Sequence, residues 1–405
     1  MMRGWTAVKI TGFRQLHADF GWRTVSFLKV ETDDGIVGWT EYYEGAGNIG
    51  LNALVAAHME ALIGADPTRV EAILIGLQSK TLQAPGGVNQ QAIGAINNAL
   101  LDIKAKSMEL PVHALFGGAI RDRIPCYWSH FASYRVRYPQ FVGEDAPKTL
   151  DDLSRLAEEA ASRGFMAVKT TAILPVEGGF TNYRPTTGES SGFPALNLEP
   201  RHVRSIVQVM QALKDGAGPD MGVAIDCNLF FKPEGFRQLA FALEPIGIYW
   251  LEIDNHDPEA LAFIRQSTRI PIASLEHLYG RREYKPFLDK AAVDVAIIDP
   301  IWNGFSESVR IASFADAYEL NVAPHNYYGY LSDFISANLA AVVPNLRVME
   351  TDIDSAAWRH EFYTHAPEFE NGYMIVPDRP GWGTDVNEAA VLKRPSKVGK
   401  AVAGR

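Results

Sequence analysis

Between residues 222 and 299 the chain repeats one figure four times: GVAIDCN (222–228), GIYWLEI (247–253), IPIASLE (270–276) and VDVAIID (293–299). Each is a short apolar run that reaches a carboxylate near its end, and a helix-length amphipathic stretch separates it from the next. Unbroken apolar runs mark strands buried on both faces, and alternation of such strands with helices builds a parallel sheet. Working outward, the figure recurs upstream in CYWSH (126–130) and FMAVKTT (165–171), and downstream in NVAPHN (321–326) and LRVMETD (346–352). Eight strands, each but the last followed by a helix, predict a (β/α)7β barrel of the TIM (β/α)8 type over residues 124–355.

The flanks read differently. TVSFLKVETDDGIVGWTEYY (24–43) alternates apolar and polar residues around Asp34-Gly35, a hairpin signature. Helical periodicity runs from Leu51 to Ile63, from Pro67 to Gln78 with Pro67 at a first helical position, and from Gln90 to Ser107, stopping before Leu110-Pro111. Residues 1–123 are therefore expected to form an α+β capping domain. The segment 356–405 holds Pro367, Gly372, Pro377, Pro380, Gly381 and Gly383, so turns are expected there, packing back to complete the capping domain.

Composition narrows the function. The 405 residues are 47% hydrophobic and 21% charged, enough for a large core and too apolar for disorder. No run approaches a spanning helix, and MMRGWTAVKITGF lacks the apolar run of a signal peptide. Cys126 and Cys227 stand alone, which excludes a disulfide framework and points to a reducing, cytoplasmic setting. Thirty-eight basic against 48 acidic residues leave a net charge of −10, so nucleic acid and anionic membrane are not expected partners. Neither a P-loop nor a G-x-G-x-x-G lies between strand and helix, which argues against nucleotide cofactors.

The ionisable residues keep the phase of the strands. Lys169, Asp226, Glu252, Glu276, Asp299, His325 and Glu350 each fall at or near the C-terminal end of one strand, and from Asp226 the steps are 26, 24, 23, 26 and 25 residues. One side chain per βα unit gathers on one rim, the face that carries the active sites of characterised barrels. A single carboxylate after a strand is equally well a helix N-cap, but five carboxylates, a lysine and a histidine all in phase are not. Within each strand Ala167, Lys169 and Thr171 share a face, as do Ala224, Asp226 and Asn228, so these turn to the mouth while Cys227 turns outward into packing. Asp226, Glu252 and Glu276 offer only oxygen; three converging carboxylates repel unless a cation joins them, and Mg²⁺ suits such a donor set better than zinc. His325 lies one unit beyond Asp299, and an Asp–His pair makes a candidate general base.

These residues resemble the enolase superfamily, and specifically its mandelate racemase/muconate lactonizing enzyme branch. QQAIGAINNALLDIKAKSMELPVHALFGG (90–118) is similar to the family's helix before the barrel. The barrel motifs follow in order: Lys169, Asp226-x-Asn228, Trp250-x-Glu252, Glu276, the Asp299 and His325 dyad, and Glu350. The resemblance implies one Mg²⁺ per subunit on Asp226, Glu252 and Glu276, binding a small-molecule carboxylate. It implies an enediolate stabilised by Lys169 and Glu350, and proton abstraction by His325. Racemases of the branch carry Lys-x-Lys on the second strand, whereas this chain reads Lys169-Thr170-Thr171. With one base, loss of a β-hydroxyl is the expected chemistry, as in the branch's acid-sugar (aldonate or aldarate) dehydratases. A cycloisomerase or epimerase, and a metal-binding barrel without turnover, are the alternatives.

Two intervals exceed one βα unit: 43 residues from Cys126 to Lys169 and 57 from Lys169 to Asp226. The surplus falls on the catalytic face, in the loops 130–147 and 174–198, where long loops tend to be functional. They bring Tyr134, Arg135 and Arg137, and Asn182, Tyr183 and Arg184. Substrate contacts are expected from Arg184 and Tyr183, together with Asn228 and Thr171 at the mouth, and from capping residues around Phe13–Trp22 and Tyr42–Asn48. Gly178-Gly179 is a candidate hinge. By analogy of fold, a homo-oligomer is expected.

Overall fold

The computed structural model describes residues 8–185 and 194–396. Part of the 174–198 loop and the basic end of the tail therefore lie outside the described residues. Three antiparallel strands come first, β1 (Ile10–Asp19), β2 (Thr24–Thr32) and β3 (Val37–Tyr42). The β2–β3 turn needs a left-handed residue, and Gly35 supplies it at φ +84°. Helices α1 (Leu51–Glu60), α2 (Val70–Lys80) and α3 (Gly87–Ser107) follow, with α3 packed along β3. Pro67 does not open α2. The Asp66 side chain accepts from Thr68 N at 2.9 Å and Thr68 Oγ1 at 2.6 Å, holding a turn that delays the helix to Val70.

The barrel begins with β4 (Arg123–Trp128). The loop after it carries two short helices, α4 (Ser133–Arg137) and α5 (Pro139–Val142), before α6 (Leu150–Ser162) and β5 (Ala167–Thr171). The next interval opens with an antiparallel hairpin, β6 (Ile173–Val176) and β7 (Gly179–Asn182), so Gly178 at φ +84° serves its turn rather than a hinge. Then come α7 (Pro200–Ala217), β8 (Gly222–Asp226), α8 (Pro233–Leu243), β9 (Leu251–Glu252) and α9 (Pro258–Gln266). They are followed by β10 (Ile272–Ser274), α10 (Gly280–Asp289), β11 (Val295–Ile298), α11 (Pro300–Asn303) and α12 (Phe305–Asp316). The last units are β12 (Asn321–Pro324), α13 (Tyr330–Val342) and β13 (Met349–Thr351).

The eight expected strands pair in parallel in the order β12-β11-β10-β9-β8-β5-β4-β13. The circle closes just ahead of β13, where Val322 bridges Leu346 through Val322 N to Asn345 O and Arg347 N to Val322 O, both 2.8 Å. Side chains fill the interior. Tyr127, Ala167, Ala224, Trp250, Ala273, Val295, Ile297, Ala323 and Val348 form a separate buried cluster with a contribution from every staff of the barrel. Four alanines leave the room that Tyr127 and Trp250 occupy, edge to face at 5.3 Å between centroids. Val223, Ile225 and Cys227 point the other way, into the packing between sheet and helices.

In the tail, β14 (Phe369–Glu370) and β15 (Tyr373–Ile375) form a hairpin whose second strand pairs antiparallel with the start of β4. Helix α14 (Glu388–Lys393) then returns to the capping sheet, where Asp19 N bonds Arg394 O at 2.8 Å and Ser396 N bonds His17 O at 3.1 Å. Buried Asp102 of α3 ties the parts together, accepting from Trp39 N of β3 at 2.8 Å and Trp382 N of the tail at 3.0 Å. Among the described residues no helix is long and apolar enough to cross a membrane.

Candidate active site

Register decides which side chains reach the rim. Thr171 of β5 lies beside Asp226 of β8, and Asp226 beside Glu252 of β9. Asp226 Oδ1 accepts from Asn228 N at 2.8 Å and from Asn228 Nδ2 at 2.5 Å, a turn that Asn228 makes at φ +40°. Glu252 Oε2 accepts from Trp250 Nε1 at 2.9 Å, so the ring filling the barrel also aims the carboxylate above it. Leu275, buried and unable to relax, takes φ +91° immediately before Glu276. Such a setting costs a residue with a side chain on the order of 1–3 kcal/mol and is typical of functional turns.

Lys169 stands at the centre of the charges. Its Nζ is 2.7 Å from Glu252 Oε1, 2.9 Å from Glu350 Oε1 and 4.0 Å from Asp226 Oδ2, with the Tyr127 ring beneath. Glu350 also accepts from Ser129 Oγ and, at 2.8 Å, from Asn326 N. Burial alone would raise the Glu350 carboxyl, but Lys169 and the nearby imidazoles hold it well below the usual carboxylate range. On the other flank His325 Nδ1 is 2.7 Å from Asp299 Oδ2. Asp299 is wholly buried and fixed by Tyr328 Oη at 2.7 Å and by the first amides of α11, Ile301 N at 2.7 Å and Trp302 N at 2.8 Å. Burial opposes a charge on His325, yet Glu276, Asp299 and Glu350 outweigh it and raise the imidazole well above its ordinary value. With Nδ1 engaged, Nε2 is the nitrogen left for chemistry.

Negative charge exceeds what Lys169 neutralises. Burial pushes Glu252 up to about 8, with Asp226 and Glu350 adding and Lys169 opposing. Burial also pushes Glu276 well up, reinforced by Asp254, Asp226 and Glu252. Glu276 Oε2 is buried without a hydrogen bond; His325 Nε2 is 3.3 Å away but misaligned. Among the described residues no three His, Cys, Asp or Glu side chains are gathered into a finished cation cage, because Glu252 is turned to Lys169 and Glu276 toward His325. An orphaned buried oxygen, an all-oxygen donor set on three adjacent strands and mutual repulsion fit a hard divalent cation that would draw these groups together.

These groups line a cavity of about 470 Å³. Asp226, Asn228, Thr171, Glu276, His325 and Glu350 form its floor, with Lys169 and Glu252 directly beneath and Asp299 behind His325. Arg184 reaches the cavity, its charge disfavoured by burial and then by Arg137 close by. Tyr183 does not. Its ring is buried against His202, Phe230 and Phe231, because neighbouring residues of the extended segment after β7 point to opposite sides. Arg135 is likewise withdrawn, 2.9 Å from Asp354, while Tyr134 and Arg137 line the cavity.

Sequence reasoning missed several lining groups: Arg23 and Tyr138 in the roof, Trp302 and Tyr327 after the sixth and seventh strands, and His130 after the first. His130 ends CYWSH, at the C-terminal end of its strand like the other rim residues, and that position is the signal that could have found it. Trp22 and Tyr43 come from the two capping stretches expected to close the site.

Known proteins share this architecture. The family described as "Mandelate racemase / muconate lactonizing enzyme, N-terminal domain" matches residues 18–117, and "Enolase C-terminal domain-like" matches residues 152–390. Over 372 residues the chain is 28% identical to D-xylonate dehydratase of Haloferax volcanii, covering 90% of this chain and 84% of that one. It is also 28% identical over 382 residues to D-galactonate dehydratase of Variovorax paradoxus, covering 90% of each. A Burkholderia xenovorans structure provisionally named an L-alanine-DL-glutamate epimerase is 47% identical, with a TM-score of 0.94 over 96% of this chain and 99% of that one. A further structure under that name, bound to magnesium and fumarate, is 47% identical with a TM-score of 0.93 over 96% and 97%. Two matched domains over an ordered set of barrel-end residues identify the chain as an enzyme of the enolase superfamily, in its mandelate racemase/muconate lactonizing enzyme branch.

Proposed function

We propose that this enzyme is a Mg²⁺-dependent dehydratase of sugar acids, aldonates or aldarates, forming 2-keto-3-deoxy acids. The observation that carries the reading is a carboxylate-held base, His325 on Asp299, combined with Thr171 where a second base on β5 would stand. Asp226, Glu252 and Glu276 would hold the ion, which when bound polarises the substrate carboxylate as a Lewis acid. His325 Nε2 takes the α-proton, and Asp299 keeps the ring in the tautomer and orientation that this requires. Lys169 carries positive charge toward the developing enediolate, and Glu350 with its Ser129 and Asn326 contacts fixes the opposite edge. Tyr127 and Trp250 below and the aromatic roof above exclude water from the charged intermediate.

The dehydratase relatives support this reading at 28% identity. Epimerisation is the second reading, favoured by the name of the 47% identical Burkholderia protein. It requires proton transfer on both faces of the α-carbon, and Lys169 is enclosed between Glu252 and Glu350. Incubation with Mg²⁺ and a library of aldonic acids, aldaric acids and Ala-Glu dipeptides in D₂O, followed by proton NMR and product mass, separates the two. Loss of one water with a new C3 methylene signal is the expected result; α-exchange at constant mass would replace dehydration by epimerisation.

A further inference from the structure

We propose that His130, oriented by Asp352, is the acid that protonates the departing hydroxyl, so that base and acid are separate imidazoles on either side of Glu350. The inference rests on the dehydratase reading and assigns to its second half a group that the first half does not use.

His130 follows β4 by two residues and takes φ +48°, an uncommon setting found at tight turns and functional sites. Its Nδ1 lies 2.9 Å from Asp352 Oδ1, on a carboxylate that is only 2% exposed. Its ring stacks on Tyr134, centroids 4.1 Å apart and planes within 10°. Carboxylate and stacking partner fix the ring plane, and with Nδ1 engaged Nε2 is the nitrogen available to a ligand in the cavity that His130 lines. The arrangement repeats that of His325, whose Nδ1 rests on buried Asp299. The two dyads flank one carboxylate: Asn326 N, next to His325, donates to Glu350 Oε2, and Ser129 Oγ, next to His130, donates to Glu350 Oε1. Both imidazoles approach the same ring, Tyr327, at 5.1 and 6.2 Å between centroids. A histidine that served packing alone would need neither the buried carboxylate nor a place at the mouth. A carboxylate on Nδ1 holds the ring orientation, so that a proton on Nε2 is placed for transfer to a ligand in the cavity.

The step balances without a further reagent. His325 takes the α-proton, and the C–H electron pair enters the enediolate. As the carboxylate re-forms, that pair shifts into a C2–C3 double bond and the C3–O bond breaks. The Nε2 proton of His130 goes to the leaving oxygen, which departs as water. The resulting enol takes one proton at C3, gives one up at oxygen, and becomes the 2-keto-3-deoxy acid.

The test uses the full-length protein with Mg²⁺, the sugar acid found by the screen, and its 3-deoxy-3-fluoro analogue, whose fluoride leaves without a proton. In His130→Gln, water elimination should fall about 10²–10³-fold, fluoride elimination should stay within about tenfold of wild type, and α-deuterium exchange should persist. Asp352→Asn, which leaves the ring in place, should show a smaller loss with the same preference for fluoride, and it serves if the histidine variant does not fold. Equal losses on both substrates, or none, would overturn the assignment of His130 while leaving the dehydratase reading intact. Failure of the wild-type protein to release water from any acid would overturn that reading, and this role with it.

Discussion

The floor and the roof of the cavity are built on different terms. The charged groups at the floor come from separate strands, and four of them are aimed by a neighbour on the same scaffold: Glu252 by Trp250, Asp226 by Asn228, His325 by Asp299, Glu350 by Ser129 and Asn326. The roof is assembled from separate lengths of chain. Trp22 of the capping domain stacks on Tyr138 of the first long loop at 4.5 Å and 5°, and meets Tyr134 at 4.7 Å. Arg23 spans Phe20, Trp22 and Tyr327 with its guanidinium 5.0–5.7 Å from each ring. The charged groups are thus held by hydrogen-bonded strands, and the surface above them by stacked rings on loops.

That contrast breaks most visibly at the floor. His325→Asn should reduce turnover by about 10³-fold or more and abolish α-deuterium exchange, with Mg²⁺ affinity and circular dichroism unchanged. Retained exchange would remove His325 as the base. Trp250→Ala should show that the floor is also core: emptying a fully buried ring costs about 3–5 kcal/mol, read as a lowered thermal midpoint, and frees Glu252 from its donor.

The seam between cap and barrel carries a proton-linked effect of somewhat smaller size. Buried Glu41 of β3 accepts from Gly329 N at 2.5 Å and Tyr363 Oη at 3.0 Å, yet burial pushes its carboxyl up to about 7. A carboxyl raised in the folded state binds its proton there more tightly than in the unfolded chain. The stabilisation is therefore complete below about pH 4.5 and is lost as pH rises through about 7, a change on the order of 3 kcal/mol. Glu41→Gln should flatten unfolding free energy across that window; an unchanged slope would place the titration elsewhere. The smallest effect belongs to the roof. Arg137→Met should raise KM by about tenfold and leave kcat within about twofold, since it removes binding common to ground and transition states. A fall in kcat instead would move Arg137 down among the floor groups.

The same division explains what the sequence revealed. The floor was legible because one polar residue closes each βα unit, and a closed barrel turns that linear spacing into a ring. Even the interior alanines and the outward turn of Cys227 followed from strand alternation. The roof depends on how loops fold over one another, which spacing does not encode. Arg184 reached the cavity, but Tyr183 beside it turned into the core, since adjacent residues in extended chain face opposite ways. Pro67 failed as a helix start because a local Asp66 side-chain bond competed with the helix. His130 was harder to read, for it ends a strand with no carboxylate and stands one residue off the alternation that turns Tyr127 inward.

The closure of the barrel has a consequence for how the protein breathes. Among the described residues seven of its eight junctions are runs of paired strand, whereas β12 is joined to the chain ahead of β13 by a single backbone bridge, Val322 to Leu346. That junction lies between the strands that deliver His325 and Glu350. Amide exchange at Val322 and Arg347 would report the opening of this zip, which would part His325 from Glu350 while the other seven junctions stay closed. The junction with the least backbone pairing among the described residues thus lies beside the strand ends that carry His325 and Glu350.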